Sequence, residues 1–240
     1  MTFLAIDTSG DHGVVVLADL NGTVIDSTIF EGRRTLSTQL MGTIDHLLKT
    51  HGLTINTVSG LAVGIGPGSF TGLRVGLTTM KTFAQVTGLP IVGVNTLAAY
   101  AGAAHPTGNV VVVATPSRRG EVYAAVYAPN VDPSPFASTY EALATRIGEL
   151  GDNPVLLGPD ATLDQIPSDA ARIDVVFTPP QGLATIAARR LSAGDVDNPI
   201  SLTPLYVVPP AISTPRDSSI LPAENLTRAL SLERGGSMSP

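Results

Sequence analysis

Two short stretches hold most of the residues that could do chemistry: "AIDTSGDHG" at 5–13 and "GIGPGSFTGLR" at 64–74. In the first, Asp7 ends an apolar run and precedes a turn carrying Gly10 and Gly13. A carboxylate in that place can hold a phosphate group over a glycine hairpin, or it can accept its own backbone amides as an Asx turn. An aspartic-protease pair would need a second, facing Asp-Thr-Gly, and the chain has none. In the second stretch Gly64, Gly66, Gly68 and Gly72 miss the spacing of a dinucleotide fingerprint. Gly72 leads into Leu73-Arg74 rather than a Walker lysine, and Ser69 follows Gly68 directly, so a nucleophile elbow fails too. What remains is a strand-to-helix turn whose amides point toward a helix start, with Ser69 or Thr71 as cap. Two readings stay open: Asp7, Gly66, Gly68, Ser69, Thr71 and Gly72 contact an anion or nucleotide, or the glycines serve only a tight backbone approach.

Other chemistries find little support. The chain lacks cysteine, which removes disulfides and thiolate metal sites. His46 and His51 are five residues apart and do not share a helix face, so they read as solvated residues and no metal site is expected. The 240 residues carry a net charge of −6 and only two lysines, Lys49 and Lys81, against the basic stripe that nucleic acid requires. The apolar N-terminal run lacks the basic stretch of a signal peptide, and no apolar window is long enough for a membrane span.

The elements that must position these residues follow from periodicity. Apolar runs at 3–6, 14–18 and 23–30, with Asn21-Gly22 between the last two, predict an antiparallel meander over residues 2–30. Leu36, Leu40, Ile44 and Leu47 recur at helical spacing and predict a helix over 36–51, with Ser37 as cap and Gly52 as stop. A strand is expected at 61–65, a helix at 73–86 ended by Gly88, a strand at 90–94, and a helix from Thr96 to Ala104. The pattern restarts after His105-Pro106-Thr107-Gly108: strands at 109–115 and 121–127, a Pro-rich connector, a helix at 140–150, a strand at 155–157 and a helix at 183–193. This order predicts an α/β fold with two adjoining lobes, residues 1–104 and a shortened 105–210. A loosely held Pro/Ser-rich tail follows at 211–240, with one helical patch at 224–232.

On the two long helices the apolar positions Leu36, Leu40, Met41, Ile44 and Leu47, then Leu73, Leu77, Met80 and Ala84, exceed what one covered face needs. Val75 and Val86 lie on further faces. These positions are candidates for contact with another subunit, against the alternative that all are buried within one lobe.

"LAIDTS" at 4–9, the run "AVGIGPGSFTGLRVGLTTMKTFAQVTGLPIVGVNTLAAYA" at 62–101, "RRGEVYAAVY" at 118–127 and "PLY" at 204–206 resemble the TsaB (YeaZ) family. The resemblance implies the two-lobe actin/Hsp70-like fold (the ASKHA, ribonuclease H-like class) and a cytoplasmic, non-catalytic scaffold of the tRNA threonylcarbamoyladenosine machinery. It implies pairing with a TsaD-like transferase and a TsaE-like ATPase, a homodimer when alone, tRNA only through the complex, and no membrane. No cofactor is implied for this chain itself, with ATP or ADP at most at the complex interface. The family's docking helices fall here on residues 36–51 and 71–87, so charging Leu40 and Leu77 is expected to split a complex and leave a folded monomer. Three family-typical polar residues are replaced: Leu36 stands for a His, Pro116 for an Asp, and Val207 or Val208 for an Arg. These changes weaken the alternative reading of a small actin-like ATPase or kinase working through Asp7 and the Gly66–Gly72 loop. A metallopeptidase has no ligand set.

Overall fold

The computed structural model describes residues 1–31, 35–103, 110–118, 120–128, 131, 133–151 and 153–208. The expected junction at 105–108 and the tail at 211–240, with its helical patch, lie outside them.

Two five-stranded sheets share one plan. In the first, β1 (Thr2–Asp7), β2 (His12–Asp19) and β3 (Val24–Glu31) form the expected meander; β4 (Leu61–Gly66) and β5 (Ile91–Asn95) add in parallel beyond β1, giving the order β3-β2-β1-β4-β5. In the second, β6 (Val111–Pro116), β7 (Glu121–Tyr127) and β8 (Phe136–Thr139) repeat the meander, and β9 (Val155–Gly158) and β10 (Ala171–Asp174) add in parallel beyond β6. Counted from its own first strand, the second sheet has the order of the first. The helices alternate to match: α1 (Leu36–Thr50), α2 (Phe70–Thr87) and α3 (Thr96–Ala103), then α4 (Tyr140–Glu149), the single turn α5 (Asp160–Leu163) and α6 (Pro180–Ser192). This duplication is the two-lobe actin/Hsp70-like architecture.

The second copy carries every strand of the first in shorter elements, with four residues each in β8, β9 and β10. The two strands that the sequence hides, β8 and β10, are four residues long and lie at the edges of the sheet. Every residue of β10 is exposed, so no apolar run marks it.

The first sheet is buried on both faces, and β1 shows why its sequence is apolar without alternation. Leu4 and Ile6 point to one side, where α1 and α2 supply Leu40, Ile44, Leu47, Leu77 and Met80. Phe3 and Ala5 point to the other, against Leu183, Ala184 and Ala187 of α6. Leu97 and Tyr100 of α3 pack with Val111, Val113 and Leu157 of the second sheet. Each sheet is therefore covered in part by the last helix of the other repeat. Between α3 and α6 the approach is close enough that a Cβ on Gly182 would collide with the Ala99 carbonyl.

Local signals set the helix ends. Ser69 caps α2, its hydroxyl accepting from the Gly72 amide at 3.3 Å, and Gly88 ends it in the left-handed conformation at φ 72°. Helix α1 begins after Thr35 rather than at the expected cap Ser37, and Gly52 follows it at φ 66°. Its C-cap His51 is not merely solvated, since Nε2 meets the Asp26 carboxylate of β3 at 2.7 Å.

Candidate functional site

Asp7 ends β1, and its side chain is 1% exposed. Its carboxylate accepts from the Ser9 amide at 2.7 Å and from the Thr96 hydroxyl at 2.8 Å, with the Thr178 hydroxyl as a further donor. The Thr96 hydroxyl in turn accepts from the Gly66 amide at 3.2 Å and from the Ser9 hydroxyl at 3.3 Å. One carboxylate thus joins the β1–β2 turn, the end of β4, the start of α3 and the loop before α6. Burial pushes its pKa up and outweighs the donors from Ser9, Thr96 and Thr178, which pull it down.

A raised folded pKa means that the fold holds the Asp7 proton more tightly than the unfolded chain does. The stability linked to that proton is full below the unfolded carboxylate value and is lost as pH rises through the higher folded one. Urea unfolding of the native chain and of Asp7→Asn is therefore expected to diverge with pH, the native chain losing stability relative to the variant from about pH 4 upward. A difference that stays constant with pH would contradict this account.

The glycine loop lies directly on that turn. It passes through a cis Gly66–Pro67 bond, and its Ser69 amide donates to the Ser9 carbonyl at 2.6 Å. A Cβ on Gly64 would fall on the Asp7 carboxylate, one on Gly68 on the Ser9 carbonyl, and one on Gly72 on the Thr8 carbonyl. The Thr8 hydroxyl donates to the Gly72 carbonyl at 2.7 Å. The space beside these glycines is filled by the chain's own turn, and the amides of Gly66, Ser69 and Gly72 already have acceptors. Proteins of this fold class hold nucleotide phosphates with such residues, but these residues do not fit that group. Asp7 is enclosed, the glycines are pressed on Thr8 and Ser9, and no ring of metal-binding side chains occurs among the described residues. Of the candidate anion loop, Ser69 and Thr71 are exposed and Gly68 is half-buried. The sequence missed Thr8, Thr96 and Thr178 because a buried hydroxyl leaves no periodic mark.

The candidate docking residues divide sharply. Leu36, Leu40, Ile44 and Leu47 of α1 and Leu73, Leu77, Met80 and Ala84 of α2 are all between 0% and 8% exposed, within the chain itself. They are core, because the stripe that helical periodicity selects is the one facing the sheet. The expectation that charging Leu40 and Leu77 leaves a folded monomer is corrected accordingly. Met41 alone of the nine points outward, 49% exposed. It lies in an open hollow of about 560 Å³ with Ser37 of α1 and with Arg74, Val75, Thr78, Thr79, Thr82 and Phe83 of α2. A second hollow continues from Arg74 and Thr82 past Lys81 to Leu202 and Tyr206 on the segment after α6. That segment is fixed by the Lys81 ammonium, which donates to the carbonyls of Ile200 and Leu202, and by the Leu205 amide on the Ile65 carbonyl. Of the family-typical positions, Leu36 is buried at the start of α1, Pro116 is exposed at the end of β6, and Val207 and Val208 are half-buried.

Residues 28–132 match the family described as TsaD: tRNA N6-adenosine threonylcarbamoyltransferase. A protein of Haemophilus influenzae named tRNA threonylcarbamoyladenosine biosynthesis protein TsaB is 39% identical over 51% of this chain and 52% of its own. Its Escherichia coli namesake is 38% identical over 53% of this chain and 55% of its own. The chain spans about half the length of the curated relatives it matches. A solved structure described as YeaZ from Pseudomonas aeruginosa superposes with a TM-score of 0.73 at 24% identity, covering 85% of this chain and 99% of that one, which shows the shared fold. The chain is thus similar in sequence to TsaB proteins over about half its length and shares the fold of YeaZ.

Proposed function

We propose that the chain is a non-catalytic scaffold subunit in the cytoplasmic formation of N6-threonylcarbamoyladenosine in tRNA. It pairs with a TsaD-like transferase through the outer side of α1 and α2, serves a TsaE-like ATPase in the same assembly, and pairs with itself when alone. It meets tRNA only through that assembly and needs no cofactor of its own; any ATP or ADP is held at the face shared with a partner. The observation that supports this reading is the pairing of an open hollow at Met41, Val75 and Phe83 with a glycine loop closed by its own turn. The nucleotide reading, an actin-like ATPase or kinase, needs an open cradle at Asp7 and Gly66–Gly72, and that space is taken.

The double variant Met41→Asp with Phe83→Asp tests it. Met41 is exposed and Phe83 half-buried at the rim, so the fold is expected to survive while two charges are set in the hollow. Co-elution with the organism's own TsaD-like protein on size exclusion is expected to vanish, with an unchanged circular dichroism spectrum. A complex that elutes as before would defeat the proposal. Calorimetry of the native chain with ATP and Mg²⁺ separates the two readings, since tight binding by the isolated chain favours the nucleotide one.

A further inference from the structure

The chain crosses between its two sheets after α3 and again between β10 and α6. Where α3 and α6 meet, the contact is made by small residues. Gly182 is pressed on the Ala99 carbonyl, and a Cβ on Gly102 would lie 3.7 Å from the Gly182 Cα. Such a contact is close, but at that point no ridge of side chains interlocks to resist a change of angle between the helices.

The hydroxyls around Asp7 lie where that angle is set. Thr96 is the first residue of α3 and donates to the Asp7 carboxylate at 2.8 Å; Thr178 lies two residues before α6 and donates to the same carboxylate. The Thr178 hydroxyl also bonds the Tyr100 hydroxyl of α3. Asp7, Thr96, Tyr100 and Thr178 are between 1% and 4% exposed, a burial at which a parted hydroxyl or carboxylate is costly. The segment that carries Thr178 touches both sheets. The Val175 amide donates to the Gly158 carbonyl at the end of β9 at 2.9 Å, whereas Phe177 packs with the cluster of Phe3, Val14 and Val16 on the first sheet.

We infer that Asp7 is a latch between the lobes: through Thr96 and Thr178 it fixes the angle at which α3 and α6 cross, and with it the angle between the two sheets. A carboxylate placed to hold a phosphate group holds both crossings of the chain instead. Thr96 also receives the Gly66 amide, so Thr178 is the residue that separates the latch from the glycine loop.

The chain has no cysteine, so a single thiol can report on the latch. Ala101→Cys places it on α3 against the second sheet, at a position 7% exposed, where a maleimide enters only when α3 lifts from that sheet. Thr162→Cys, at a position 4% exposed in α5, is the companion probe inside the second lobe. In the full chain, Thr178→Val is expected to speed labelling of Ala101→Cys about tenfold, the scale of a buried polar group left without its partner. Labelling of Thr162→Cys is expected to stay as it was, and Thr178→Ser, which keeps the hydroxyl, to label as slowly as the native chain. An unchanged rate at Ala101→Cys would overturn the proposal. So would an equal rise at both probes, which reports general loosening or unfolding, or a fast rate that persists in Thr178→Ser.

Discussion

Gly72→Ala is expected to destabilise the chain by about 3 kcal/mol or more, at the upper end of the cost of forcing an extra methyl into a packed interior. The added Cβ would stand on the Thr8 carbonyl, a backbone atom that cannot swing aside. Relief requires α2 to move off β1, which gives up the Thr8 hydroxyl bond to the Gly72 carbonyl and strains the Ser69 amide bond to Ser9. In a folded unit of this size that loss corresponds to a Tm lower by about 6–12 °C. Gly42→Ala is the control. That glycine lies on the exposed side of α1 with nothing within 4 Å of the added atom, so the change is expected to be neutral or stabilising by about 0.5–1 kcal/mol. Thermal unfolding of the two variants side by side decides the matter, and an unchanged Tm in Gly72→Ala would show that the contact with Thr8 is not tight.

Leu77→Asp is expected to cost about 4 kcal/mol or more and to leave little folded protein, because it puts an unpaired carboxylate into an apolar interior. Leu77 is 5% exposed among the residues that α1 and α2 press on β1 and β4. Met41→Asp, half exposed, is expected to change stability by less than about 0.5 kcal/mol. Urea unfolding measures both. The contrast has a practical meaning: loss of a partner in Leu77→Asp would report unfolding, whereas the same loss in Met41→Asp would report a blocked surface. Equal effects would mean that α1 or α2 is rotated from the orientation described.

Much of the fold was legible in the sequence because its elements are long, apolar and well punctuated. Asn21-Gly22, Ser69 and Gly88 mark a turn and the two ends of α2, and Glu121–Tyr127 reads as a strand at the residues where it occurs. The edge strands β8 and β10 were not legible, since a strand paired on one side and open to solvent needs no apolar face. Eight of the nine residues offered for docking turn out to be buried for a related reason. Periodicity finds the most hydrophobic stripe of a helix, and that stripe is the one against the sheet; the open hollow of Met41, Val75, Thr78 and Phe83 is too mixed to stand out. At the glycine loop the types of residue suited either reading, and the Thr8–Ser9 backbone pressed on Gly68 and Gly72, which supports the architectural one, leaves no mark in the sequence.

The exchange of closing helices bears on how the chain is made. Phe3, Val14 and Val16 leave the ribosome early, yet the helix that covers them, Pro180–Ser192, is synthesised some 170 residues later. At about 5–20 residues per second, one side of the first sheet stays open for roughly ten to thirty seconds of synthesis. A nascent chain of this kind presents a sticky flank throughout that wait, and its last folding step joins segments far apart in sequence, which is slow. Growth at raised temperature should therefore trap half-made chains as aggregates more readily than it melts finished ones.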